Sequence, residues 1–486
     1  MTPPVRSSLR TMAVVLAGAA GLLSARPAQA QALTAPMVGT SLSGPVTADP
    51  AAVHWNPALL THLEKPTVLA SGGLILGDVR YRRERRAIYQ REDSFAFKEP
   101  LSPAQIDPGK SGTAAEARAT PFAPSGSLFG AMPLGKGWSA GLGVYAPYAA
   151  ILAFEPGGAQ RWALERATIA TLYVTPSVAY RVSERLSVGL GASYILGVAE
   201  LEKVQDFAAL DDVGGALGRP PINQSNDFGA SAPPSVRELG VMARPIKLKQ
   251  AIAHGFTFNA GLAARLTPAT LLGLSYQHSA PLNFNGTFSI DMNNDFFTRD
   301  LASQGLAYKP RVEGDATLSF TLPRTLLAGL RHELSPRVAV GLTGTYAWWS
   351  QVESFDVVVR SPDLAQPRLG LPDTSTIQLP RRWKNTVGVD LFGQVQVIPS
   401  TRVWLLGGYR SSASPDATID AASPDGDRIV AAIGTGTAVT ERTTLLLDFK
   451  MQTILPRTVV GSDLDLGNGE YRLSIYALMG HLLYRL

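Results

Sequence analysis

Cysteine is absent from the 486 residues, which excludes disulfide frameworks, thiolate metal sites and cysteine nucleophiles. Also missing is any uninterrupted apolar run of the roughly 18–20 residues that a membrane-spanning helix needs. Charge is sparse at 17%, whereas hydrophobic residues make up 45% and glycine is plentiful at 46. A helical membrane protein is therefore disfavoured and a β-rich one is left open. Length decides little, because 486 residues suit several soluble domains or one large barrel.

The chain opens on a processing signal. Arg6 and Arg10 supply a positive start, residues 12–23 a short apolar core, and Ala28-Gln29-Ala30 a small-residue cleavage site. Residues 1–30 thus read as a signal peptide, with the mature chain starting near Gln31. Its removal takes away Arg6, Arg10 and Arg26 and no acid, lowering the net charge from +5 to +2. So small a surplus is no footprint for nucleic acid.

Next comes the turn-rich run Asp49-Pro50-Ala51-Ala52-Val53-His54-Trp55-Asn56-Pro57-Ala58-Leu59-Leu60. Pro57 fixes its own φ and pushes Asn56 out of the helical region. Between an export signal and the first strand, these residues suit an insert that blocks something hollow. An ordinary surface loop is the alternative reading.

Beyond residue 60 the dominant period is two. Val188, Leu190, Ala192, Tyr194, Leu196 and Val198 share one face, with Ser187, Gly189, Gly191, Ser193 and Gly197 on the other. Leu445, Leu447, Phe449 and Met451 alternate in the same way with Leu446, Asp448 and Lys450. Strands of a soluble sandwich run about 5–6 residues, whereas these exceed the roughly 9–11 that cross a bilayer at a tilt. Short connections such as Val182-Ser183-Glu184-Arg185 alternate with long polar ones near 83–121, 203–250, 287–310, 354–380 and 455–469. That alternation is the pattern of an outer-membrane barrel with tight periplasmic turns and long external loops.

The rule yields strands near 66–82, 122–134, 137–151, 165–182, 185–202, 251–266, 270–286, 311–334, 337–353, 381–398, 401–411, 427–439, 441–454 and 470–486. The expected fold is all-β, a 14-stranded antiparallel transmembrane β-barrel over residues 66–486 with a hatch at 31–65 plugging its lumen. Pro323 interrupts the eighth strand and reads as a bulge. At the C-terminus Tyr476, Leu478, Leu482, Tyr484 and Leu486 share one face, like the signal by which such barrels are assembled, although the last residue there is usually Phe.

The chain resembles the FadL/TodX family of outer-membrane transporters for hydrophobic compounds. The similarity rests on residues 46–59, on Pro176–Val182, on Tyr346-Ala347-Trp348-Trp349-Ser350, and on Gly408-Tyr409-Arg410-Ser411-Ser412 leading to Ser423-Pro424-Asp425-Gly426-Asp427-Arg428. The resemblance implies a monomer that captures long-chain fatty acids or aromatic hydrocarbons outside. Cargo then passes a gating hatch, here Asn56, Pro57 and Ala58, and leaves sideways at a kinked third strand. Pro147 is the expected kink, since it lacks an N–H for its neighbour; a strand simply ending at Ala146 is the alternative. The family's ligand pockets hold a carboxylate with a basic residue. Arg161, Arg166 and Lys384 lie near external strand ends as candidates, with a surface role toward lipopolysaccharide as the competing one.

Other features point nowhere or to the surface. Gly137-Trp138-Ser139-Ala140-Gly141 has the spacing of a nucleophile elbow but no strand-to-helix turn. Six histidines show no ligand spacing, and Asp291-x-Asn293-x-Asp295 has Phe296 where a calcium loop needs Gly. No metal or cofactor is expected. Arg82-Arg83-Glu84-Arg85-Arg86 suits lipopolysaccharide phosphates, and Trp348, Trp349, Trp383 and Trp404 suit an interfacial girdle, with one or two alternatively lining the ligand path. The expected partners are a hydrophobic small molecule, membrane lipid and lipopolysaccharide. The competing functions are a barrel enzyme, which needs a convergent Ser/His/Asp set, and a structural barrel without cargo.

Overall fold

Period-two sequence gives each strand a bulky apolar face and a small or polar one. In lipid, a sheet of such strands closes on itself so that no edge is left unpaired. The structure is a computed structural model describing residues 34–84, 116–206, 243–293, 309–365, 372–463 and 465–486. It shows that closure, in fourteen antiparallel strands. These are β1 (Thr67–Arg83), β2 (Phe122–Gly135), β3 (Trp138–Tyr145, resuming at Ala149–Ala153), β4 (Arg166–Arg181), β5 (Leu186–Asp206), β6 (Ala243–Thr267) and β7 (Thr270–Gln277 with Ala280–Asp291). There follow β8 (Arg311–Leu322 with Thr325–Ser335), β9 (Val338–Ala347 with Ser354–Arg360), β10 (Thr374–Pro380 with Thr386–Ile398), β11 (Thr401–Arg410), β12 (Arg428–Ala438), β13 (Thr443–Ile454 with Arg457–Val459) and β14 (Gly469–Arg485). β14 pairs with β1 from Thr67↔Arg485 to Arg83↔Gly469 and seals the cylinder.

The outer face carries an exposed apolar belt that includes Leu74, Leu190, Phe256, Leu342, Leu391, Leu405, Leu447 and Leu478. Phe256 is 75% exposed and Leu391 63%. A contiguous apolar surface of this extent exceeds what a soluble monomer shows and fits a lipid surround. No helix among the described residues is long and apolar enough to cross a membrane. One short turn, Gly135-Lys136-Gly137, has φ of 87°, 51° and 84°, a left-handed run in which two glycines relieve the steric cost.

Several expectations are corrected. β5 runs past the expected 202 and β6 begins before the expected 251, pairing Lys203↔Ile246 and Val204↔Pro245. The segment 354–380 was expected as a loop, yet it contains a hairpin paired from Ser354↔Pro380 to Arg360↔Thr374. Val357 and Val359 are buried in the core that also holds Leu318 and Phe320, and that burial makes the hairpin. At Pro323 the chain leaves the sheet altogether: Arg311–Leu322 pairs with Ala280–Asp291 and Ser354–Arg360, and Thr325–Ser335 with Thr270–Gln277 and Val338–Ala347. The tryptophan girdle fails for Trp349, Trp383 and Trp404, which are all buried inside. Trp138 instead lies exposed beside Tyr180, at 4.7 Å between ring centroids. Residues 1–33, Arg85, Arg86, Asp295 and Phe296 lie outside the described residues.

Candidate functional site

The lumen is occupied by the chain's own N-terminal segment. Asp49 accepts from Ala51 N at 2.7 Å and from Ser43 Oγ at 2.8 Å, fixing the turn that leads into the short helix Ala52–Trp55. Asn56 is extended, and its Oδ1 accepts from Ala58 N at 3.2 Å to cap the 3₁₀ turn Pro57–His62, with Pro57 at the first position. The same side chain donates Nδ2 to Pro45 O at 2.9 Å and to Leu262 O at 3.1 Å. One fully buried amide thus joins two passes of the segment and ties both to β6.

The seat is cut from glycine. A Cβ on Gly189, Gly261, Gly273 or Gly329 would strike the backbone or side chains of Pro57, Asn56, Pro45 and Val46 respectively. Gly189 faces Gly261 across β5–β6, and Gly273 faces Gly329 across β7–β8, so the four form a flat patch on the inner wall. Polar side chains beside it fasten the segment. Asn259 Nδ2 donates to Val53 O at 2.8 Å and His54 O at 3.0 Å, Gln277 Nε2 to His54 O at 2.9 Å, and Thr61 Oγ1 to Ser187 Oγ at 2.8 Å. Burial holds the imidazole of His54 neutral, its pKa lowered to about 3. His62 is lowered to about 4 by burial first and then by the guanidinium groups of Arg265 and Arg181.

A second fastening lies across the lumen. Asp448 on β13 accepts from Trp404 Nε1 at 3.0 Å and from Ser41 N at 3.2 Å, and it also bonds Ser41 Oγ. Its Oδ2 lies 3.1 Å from His481 Nε2, while His481 Nδ1 is 2.8 Å from Ser71 Oγ. The structure therefore brings a serine, a histidine and an aspartate together, the convergence that the scattered positions in the chain do not suggest. Asp448, however, is saturated by hatch and wall, and His481 is buried.

β3 breaks at Ala146–Tyr148. Below the break β3 pairs with both β2 and β4; above it, Ala149–Ala153 pairs with β4 alone, and β2 pairing ends at Leu128↔Val144. Across the break, five residues of β3 (Tyr145 to Ala149) oppose four of β4 (Tyr173 to Ala170), the one-residue excess of a bulge. The opening between β2 and β3 is occupied by the N-terminal segment, with Thr34 bridging Tyr148 and Ala35 N donating to Pro147 O at 2.8 Å. His54, Tyr145, Tyr173 and Tyr148 form a continuous row of rings from hatch to break, with centroids 4.8, 5.7 and 6.3 Å apart. A cavity of about 170 Å³ adjoins the break, walled by Thr34–Val38, His54, Pro147 and Tyr148 on one side and by Asp390, Arg410, Arg428 and Lys450 on the other.

These features define a plugged barrel with an interrupted wall. A sequence profile of the family described as "Outer membrane protein transport protein (OMPP1/FadL/TodX)" matches residues 16–471. The chain belongs to this family. The long-chain fatty acid transport protein of Shigella flexneri is 25% identical over 402 residues, covering 78% of this chain and 82% of that one. The crystal structure of a Pseudomonas aeruginosa FadL homologue matches with a TM-score of 0.73 at 17% identity, covering 93% of this chain and 99% of its own. The Ralstonia pickettii toluene transporter TbuX matches with a TM-score of 0.60 at 16% identity, over 92% and 97% of the two chains. Family and fold together place this transport protein in the outer membrane of a Gram-negative bacterium, which it crosses many times.

Within this FadL/TodX barrel, the basic candidates lie apart from the cavity. Arg161 donates to Gly157 O and Gly158 O at 3.2 and 3.0 Å and stacks over Trp162, Arg166 starts β4, and Lys384 is exposed. The cavity's own cations are Arg410, Arg428 and Lys450. Arg410 is tied to Asp390 at 2.8 and 2.5 Å, and Arg428 to Asp425 at 2.9 Å. Asp425 also accepts from Ala413 N at 2.6 Å and Ser414 N at 3.0 Å, so the 423–428 motif works as a clip for its loop. Among the described residues Lys450 has no hydrogen bond or ion pair. The signal for it was its place on the non-lipid face of β13, two residues after Asp448.

Proposed function

We propose that the protein takes up hydrophobic compounds by gated passive diffusion, and that its cargo carries a carboxylate, as a long-chain fatty acid does. The observation behind this reading is the cavity itself, with the unpaired Lys450 on one wall and the break in β3 on the other. Asp390 and Asp448 act on Lys450 only as neighbouring charges and are themselves held by Arg410 and by Ser41 and Trp404, so its ammonium, in direct contact with neither, favours an acid over a neutral hydrocarbon in a lumen of low dielectric. The head group lodges at Lys450, and the hatch segment yields space to the alkyl chain. Lateral exit follows from the cargo: sending it through water costs about 0.8 kcal/mol per CH₂. Release of Thr34–Ala35 from Tyr148 and Pro147 would open a path from cavity to lipid between β2 and β3. In this reading Asn56, Pro57 and Ala58 set the hatch position and Pro147 keeps the wall unpaired. Arg161, Arg166 and Lys384 serve the outer surface toward lipopolysaccharide, and the protein works as a monomer without catalysis. Asp448, His481 and Ser41 act as a latch.

The test is uptake of labelled oleate and of toluene by cells lacking the protein and complemented with wild type or Lys450→Met. A charge-assisted hydrogen bond contributes about 1.5–3 kcal/mol, so the variant should lose roughly 10–100-fold in oleate affinity with toluene uptake unchanged. Equal loss for both compounds would sink the carboxylate assignment. Oleate uptake indifferent to deletion of the protein would sink the transport reading.

A further inference from the structure

On the short-turn side of the hatch lies a second cavity, of about 440 Å³. Its roof is the hatch run Val46–Pro50 with His62 and Leu63, and its rim includes the β6–β7 turn Pro268-Ala269-Thr270, Thr67 at the start of β1 and Arg485 at the end of β14. Four arginines converge on it: Arg265 (β6), Arg331 (β8), Arg402 (β11) and Arg485 (β14). Arg331 and Arg402 are half-buried, while Arg265 and Arg485 are exposed at the rim. Among the described residues none of these four side chains makes a hydrogen bond or ion pair. Of the charges that act on Arg402, Arg331 and Arg485 repel it and Asp49 attracts it.

Two acids face the four guanidinium groups. Asp49 is already occupied by Ser43 Oγ and Ala51 N, and Glu333 is exposed at the mouth. With His62 neutral, the chamber carries two uncompensated positive charges. Like charges gathered in a concave site focus potential and attract anions. A single carboxylate neutralises half of that surplus; a phosphate dianion neutralises all of it and offers the oxygens that guanidinium groups grip in pairs.

We propose that this chamber is a binding site for a phosphate monoester dianion, and that its occupant props the closed hatch from the periplasmic side. The geometry is independent of the cargo reading, since no residue of the guanidinium set lines the cavity at Lys450. Two sources share the chemistry: a soluble phosphate monoester, or phosphatidic acid, the phospholipid whose headgroup is itself a phosphate monoester, reaching in at the rim.

The experiment is calorimetric titration of the mature protein in neutral detergent at pH 8 with glycerol 3-phosphate, with sodium chloride at matched ionic strength as the control. Saturable binding is expected, weakened at least tenfold in Arg331→Ala and Arg402→Ala and partly restored in Arg402→Lys, with circular dichroism confirming an intact barrel. Bound glycerol 3-phosphate should also slow proteolysis within residues 46–63. A second arm titrates protein in bilayers of phosphatidylcholine alone or of phosphatidylcholine with phosphatidic acid: undiminished binding in both assigns a soluble ester, whereas loss only with phosphatidic acid assigns the lipid headgroup. No heat beyond that of chloride, or binding unchanged in the Arg331/Arg402 double variant, would overturn the site. Oleate uptake by the same variants separates it from the cargo cavity, because uptake should persist.

Discussion

Asn56 concentrates three interactions in one buried side chain. Its amide caps Ala58, holds Pro45 and reaches the β6 wall at Leu262. Truncation to alanine removes two donors and one acceptor and leaves Pro45 O without its partner. At about 1 kcal/mol for each bond, the hatch loses on the order of 3 kcal/mol of docking energy. The barrel keeps every strand pair, because none runs through Asn56. Asn56→Ala should therefore give normal barrel content by circular dichroism but raised conductance in planar bilayers. Unchanged conductance would remove the hatch role from Asn56.

Acid should act on the same element. His54 is buried and neutral with its pKa lowered to about 3, whereas in an undocked hatch it would sit near the ordinary 6.5. A lowered value in the docked state means that docking is strongest above about 6.5 and weakens as pH falls toward 3. Taking His54 alone, the loss at pH 5 is about 2 kcal/mol, at 1.36 kcal/mol per pH unit. His62, lowered to about 4, adds in the same direction. Asp49 has its pKa raised by burial ahead of the opposing bonds from Ser43 and Ala51, and it opposes the trend by binding a proton more readily when docked. Bilayer conductance should rise between pH 7 and 5 in the wild type and rise less in His54→Gln.

At the scale of the element, the break in β3 is closed by the chain's own N-terminus. Thr34 and Tyr148 face each other as an antiparallel bridge, a separation that a disulfide spans. Because the chain has no cysteine of its own, Thr34→Cys with Tyr148→Cys makes a single defined staple. Oxidation should abolish uptake and reduction should restore it; uptake by the fully oxidised protein would rule out exit at this break. Pro147 was legible in the sequence as an interruption. That the N-terminal segment fills the gap was not, since nothing local at Thr34 records a partner more than a hundred residues away.

Taken as a whole molecule, the barrel exposes its apolar side and reserves its small side for the hatch. Leu391 lies near the middle of β10 and points outward. Leu391→Arg should destabilise by about 2–4 kcal/mol in lipid, measured by urea unfolding from bilayers. A cost near zero would contradict the lipid-facing assignment.

The chain by itself determined the strands, their number and their two faces, because an alternation of period two is a local property and the bilayer fixes how long it must run. It also marked the N-terminal run as separate from the wall. Only the tertiary structure decided what the small face is for. Gly189 and Gly261 read as wet lumen until they are seen lying under Pro57 and Asn56, and Trp404 reads as girdle until it meets Ser41 and Asp448. The physical reason is that strand sequence tells inside from outside but not what lies inside. The pairing of distant charges, such as Arg410 with Asp390, is set by closure of the barrel, which no stretch of sequence contains.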